Sequence, residues 1–148
     1  MRFFSKPELD VEFEAAVHRP MSRQQRGSVA RSQDVIRAAL LPTEKPRFVL
    51  VEDYTGSWLV VVTDRRLLVF ATSFSGVCRE LAFAGFRGQF ALDVETAWST
   101  RGSAVVIIGD GFRVRFKVTY PASGRDLVRA VEQIGEIPAW APAPPPDL

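Results

Sequence analysis

Between Ser57 and Ser73 the chain reads SWLVVVTDRRLLVFATS, two apolar runs rich in β-branched residues around the polar break Thr63-Asp64-Arg65-Arg66. Two such runs joined by a short polar turn predict a β-hairpin. Leu59 and Val61 fall on one side of the first arm, Val60 and Val62 on the other, and Leu67, Leu68, Val69 and Phe70 continue without alternation. A strand that is apolar on both faces has to be covered twice. From Arg47 the period stays at two, and turn residues recur at Thr55-Gly56, Thr63–Arg66, Ser75-Gly76, Gly85–Gly88, Arg101-Gly102 and Asp110-Gly111. They separate seven predicted strands, near 47–53, 57–63, 66–73, 77–84, 90–98, 103–109 and 112–119. Asp110-Gly111 suits a two-residue type I′ turn, which would pair residue 108 with 113 and 106 with 115.

Helical periods flank this β region. Ser22 with Gln25 fits a capping box, and Val29, Ile36 and Leu40 share one face at about 100° per residue, which predicts an amphipathic helix over 22–41 ending before Pro42. Its opposite side carries Arg23, Arg26 and Arg37, with Arg31 on a flank, and Gly27 weakens its first turn. Ser123 and Asp126 mark the start of a last helix whose stripe is Leu127, Val131 and Ile134 and which Gly135 closes. That stripe is expected to bury against Phe112, Val114 and Phe116. Residues 1–20 fit two patterns: Ser5 to Glu8 reads as a capped helix start, whereas Leu9, Val11, Phe13 and Ala15 alternate with acids as a strand would. The closing PAWAPAPPPDL is an extended proline-rich tail or linker.

Three stretches carry a family likeness: LLPTEKP leading into the first strand, VVVTDRRLLVF across the second and third, and CRELAFAGF on the fourth. With the order of seven strands and a terminal helix, residues 40–134 or so resemble the bacterial pleckstrin-homology-like (PH-like) domains. The resemblance implies a mainly β fold, a seven-stranded bent barrel of two antiparallel sheets with a C-terminal capping helix, here with an N-terminal helical extension. The domain limits are then 1–41 for the extension, 42–137 for the PH-like domain and 138–148 for the tail. The resemblance also implies a non-catalytic domain that binds lipids, peptides or protein surfaces. Phosphoinositide-binding members place several Lys and Arg around the first hairpin loop, which in this chain is Glu52-Asp53-Tyr54-Thr55-Gly56-Ser57. Two acids there repel a phosphorylated head group, and no inositol-phosphate site is expected.

Composition narrows the chemistry further. A chain of 148 residues buries enough surface to fold without disulfide or metal, and the one cysteine, Cys78, reads as a small buried residue in a strand. A net charge of +2 does not point to nucleic acid. No apolar run reaches the roughly 20 residues of a membrane span, and the expected location is the cytoplasm. The one histidine, His18, lies beside Arg19 in an irregular segment and reads as a surface residue. No spacing supports a metal site, a cofactor or a catalytic residue set. Gly85-Phe86-Arg87-Gly88 and Gly109-Asp110-Gly111 lie between strands and read as turns, not phosphate loops.

The candidate functional surface is FRVRFKVT. Phe112, Val114, Phe116 and Val118 face inward while Arg113, Arg115 and Lys117 share the outer side, and the predicted register sets Ile108, Val106 and Ala104 beside these cations. An apolar strip edged by arginine suits docking of a protein partner or a second copy, unless the 22–41 helix covers it. The alternative is peripheral attachment to anionic lipid at the inner face of the membrane, through Arg113, Arg115, Lys117 and the helix cations Arg23, Arg26 and Arg37. The same helix is expected to pack on the outside of the barrel, with residues 1–20 reaching a second subunit or partner.

Overall fold

The computed structural model describes residues 8–18, 21–52, 57–73, 77–96, 103–118 and 121–135. In chain order the elements are α1 (Val11–Ala16), α2 (Arg23–Ala39), β1 (Pro46–Val51), β2 (Trp58–Thr63), β3 (Arg66–Thr72), β4 (Cys78–Phe86), β5 (Phe90–Thr96), β6 (Ser103–Gly109), β7 (Phe112–Val118) and α3 (Pro121–Glu132). All seven predicted strands are present. The strands form two antiparallel sheets, β1-β2-β3-β4 and β5-β6-β7. Among the described residues no ladder joins the two, so the fold is a pair of sheets with a C-terminal helix and does not show the closed barrel that the resemblance implied.

The opening hairpin is indeed covered twice. On one face of the four-stranded sheet Val49, Val51, Leu59, Val61, Leu68 and Phe70 pack with Val29 and Ile36 of α2 and with Phe13 and Ala16 of α1. On the other, Leu50, Val60, Val62, Leu67 and Val69 meet Val105, Ile107, Val114 and Phe116 of the second sheet and Leu127 of α3. β2 and β3 therefore have no solvent side, and Leu59, Val61, Val62, Leu67, Leu68, Val69 and Phe70 are each 0% exposed.

α2 starts as its sequence dictates. Ser22 Oγ accepts from the Gln25 amide at 3.1 Å, and Gln25 Oε1 accepts from the Ser22 amide at 2.9 Å, a reciprocal cap. Residues 8–18, expected above to reach a second subunit or partner, pack instead on this chain's own sheet. Phe13 is fully buried on this chain's own sheet, the His18 amide donates to the Val49 carbonyl at 2.9 Å, and Gln33 of α2 clamps the Asp10 amide and the Glu8 carbonyl. The physical reason is the second apolar face of the hairpin, which α2 alone leaves partly uncovered. Residues 1–7 and the proline-rich 138–148 lie outside the described residues.

Other local differences have identifiable causes. The turn at Asp110-Gly111 keeps the predicted register, with Ile108 opposite Arg113 and Val106 opposite Arg115. Only its glycine has positive φ, +67°, so it is not a type I′ turn, which needs both central residues there. Gly85 belongs to β4 instead of the following turn, since it pairs with Leu67 of β3, and a Cβ there would stand 2.8 Å from the Phe83 ring. Leu127 in α3 and Ile134 just after it are buried as expected, but Val131 is only partly so.

Candidate interaction surfaces

The loops before and after the hairpin turn interlock. Glu44, Thr63 and Arg66 are buried together: Arg66 Nε and Nη2 donate to the two Glu44 oxygens at 3.0 and 2.7 Å, and the Thr63 hydroxyl donates to Glu44 Oε2 at 2.5 Å. Burial works against the ionised Glu44 carboxyl, but hydrogen bonds from Arg66, Thr63 and the Leu41 amide outweigh it and hold its pKa below the usual value. Arg65 reaches back to Thr43 Oγ1 at 2.7 Å, and Asp64 joins Lys45 and Gly135 through backbone bonds. The TEKP and TDRR motifs are thus one structural clasp, whose buried charges, Glu44 and Arg66, pair with each other.

The outer face of the three-stranded sheet differs from its expected form. Arg113, Arg115 and Lys117 are exposed on β7, opposite exposed Asp93 and Glu95 on β5. The apolar strip between them does not face solvent: Val106 is 2% and Ala104 6% exposed, and Ile108 is half-buried. Arg115 spans the central strand, with Nη2 2.9 Å and Nε 3.0 Å from Glu95 Oε2. Nor does the helix over 23–39 cover this strip, because it packs on the other sheet. What remains outward is a mixed-charge face on which Arg113 and Lys117 have no ion pair among the described residues.

The helix cations are also largely neutralised. Arg26 pairs with Glu14, and Arg37 pairs with Asp10, with Glu12 at 3.0 Å and with Asp34 at 3.0 Å. The hydrogen bonds that Arg37 donates to Asp10 and Glu12 raise its pKa above the usual value. The acids of α1 meet the arginines of α2 because both helices lie on the same sheet face. Arg23 stays exposed at the rim of an open groove of about 790 Å³, lined also by Glu8, Leu9, Arg26 and Arg31.

His18 is corrected from a surface residue to a buried one, 8% exposed. Its ring lies 5.1 Å from that of Phe48, Nε2 is 2.9 Å from Ser123 Oγ, and Nδ1 is 3.9 Å from Asp126 Oδ2. The order Ser-His-Asp has the residue types of a nucleophilic triad, but Ser123 is 2% exposed and the His–Asp distance exceeds a hydrogen bond. The arrangement fastens the segment after α1 to the start of α3. Sequence gave no sign of it, since residues 18 and 123 meet only through the tertiary fold.

A second feature escaped the sequence pattern. Phe83 stacks on Phe112 with centroids 5.1 Å apart and planes at 11°, while Phe90 meets Phe83 and Trp58 meets Phe112 edge-on at 6.3 Å. All four rings are half-buried. Gly109 makes room for them, since a Cβ there would fall 2.2 Å from the Phe83 ring. The aromatic residues sit on β2, β4, β5 and β7, too far apart in sequence for a local signal.

One flank carries exposed apolar residues instead. β4 ends its sheet, and Leu81 on it is 40% exposed; Val35 of α2 is 37% exposed. These two elements touch, with the Cys78 amide donating to Ser32 Oγ at 3.0 Å. Cys78 itself is buried, which raises its thiol pKa. Among the described residues, no group of three or more His, Cys, Asp or Glu could hold a metal ion, and no helix is long and apolar enough to cross a membrane. The chain matches no family model, no curated protein and no solved structure.

Proposed function

We propose that this chain is a non-enzymatic interaction module on a PH-like framework that docks a protein partner within a larger assembly. The framework reading rests on the order of four and three antiparallel strands followed by a helix. The docking reading rests on one observation: the edge strand β4 presents Leu81 beside α2, which presents Val35, with the exposed charges of Arg79 and Glu80 at the border. A sheet edge offers unpaired backbone groups, and an apolar centre with a polar rim suits a protein surface.

Affinity capture of the full chain from its host tests this reading. A partner held by the wild type should be lost with Leu81→Asp and Val35→Asp, and retained with Arg113→Glu and Lys117→Glu. A partner that survives the apolar substitutions overturns the assignment of this flank. Peripheral attachment to anionic lipid is the second reading, favoured by the exposed Arg113 and Lys117. Co-sedimentation with phosphatidylserine vesicles that falls steeply with salt and is lost in the charge-reversed variants would support it over docking.

A further inference from the structure

The proline-rich segment 138–148 has a receptor in its own chain: we propose that it docks on the aromatic row Phe90, Phe83, Phe112 and Trp58. The inference is independent of the β4 flank. The row is built before any ligand arrives, because Phe83, stacked on Phe112, is pressed over Gly109 and Gly85, where side chains would collide with its ring. Its four rings remain half-buried and so keep part of their surface available to a ligand. Half-exposed aromatic rings in a row are the surface that proline-rich segments use, since the extended proline helix is already ordered and loses little entropy on docking.

Position and length select this chain's own segment as the occupant. The residues just after α3 are held near the turn that precedes the row: Arg87 Nη1 donates to the Ile134 carbonyl at 3.4 Å, and the Gly135 amide donates to the Asp64 carbonyl at 3.1 Å. Arg87 lies in the turn that leads directly into Phe90. From there the sequence runs EIPAWAPAPPPDL, with Trp140 and the prolines 138, 142, 144, 145 and 146. Steps between successive rings are 6.3, 5.1 and 6.3 Å, and six residues of polyproline helix at about 3.1 Å each extend roughly 19 Å. The segment is long enough to lie along the whole row, and the short tether gives it a local concentration that a free peptide would not have.

Nuclear magnetic resonance of the full, isotope-labelled chain tests the docking, with the wild type compared with Trp140→Ala. The expected result is a set of shift changes at the Trp58 indole and at the backbone amides of Phe90, Gly111 and Phe112, with those of α2 unmoved. The same changes should appear when prolines 144–146 are replaced by serine. Spectra that differ only by the missing Trp140 signal would overturn the proposal. Dilution by tenfold separates the two possible arrangements: unchanged wild-type shifts support docking within one chain, whereas shifts that move toward those of the Trp140→Ala protein would assign the contact to a second copy and refute docking on the chain's own row.

Discussion

At the scale of single residues, the most exacting contact is the carboxylate of Glu44, whose side chain is 0% exposed against Arg66 at 2.7 Å. Removing one partner of a buried pair leaves the other charge without compensation, and Glu44→Ala should cost about 3–5 kcal/mol in chemical denaturation at neutral pH. The sign of the pH effect follows from the lowered pKa. Stability from an acid of depressed pKa is fully present above its unfolded value, about 4.3, and is lost as pH falls through the folded one. Urea titrations at neutral pH and near pH 3 should therefore show a smaller loss on acidification in Glu44→Gln than in the wild type; equal losses would show that Glu44 is not linked to folding in this way. Sequence hinted at this clasp only as two polar motifs nineteen positions apart at Glu44 and Thr63, and pairing of β1 with β2 was needed to bring them together.

Between elements, the two flanking helices test whether both faces of the hairpin need cover. Phe13 on α1 is fully buried, and Phe13→Ala should destabilise the fold by about 3–5 kcal/mol, as a large core truncation does. Thermal melts showing no loss would mean that α1 is not part of the core. On α3, Leu127 at 0% exposure and partly buried Val131 should separate: Leu127→Ala by about 2–5 kcal/mol, Val131→Ala by distinctly less, with equal effects contradicting their difference in burial. The elements themselves were largely legible, because the capping residues Ser22 and Gln25, the alternation in β7 and the two-residue break at Asp110-Gly111 are local signals. α1 was not legible. Its acids alternate with apolar residues, and only the open face of the neighbouring sheet makes a six-residue helix worth forming there.

For the molecule as a whole, the difference between expectation and structure lies in where charge ends up. Reading cations along one helix and one strand predicted a basic surface, but the fold sets Glu14, Asp10 and Glu12 against Arg26 and Arg37, and Glu95 against Arg115. A one-dimensional pattern cannot supply these partners, since each belongs to another element. The four-stranded sheet, meanwhile, serves both hydrophobic clusters at once, so neither can open without exposing a face of β2 or β3. The helical layer and the second sheet consequently share one fate in unfolding. Hydrogen exchange should express this as a single event: the amides of Val60, Val61, Leu68 and Val69 should exchange only through global opening, with a protection free energy equal to that from denaturant, while exchange from β2 that outpaces β7 would reveal two units separating independently.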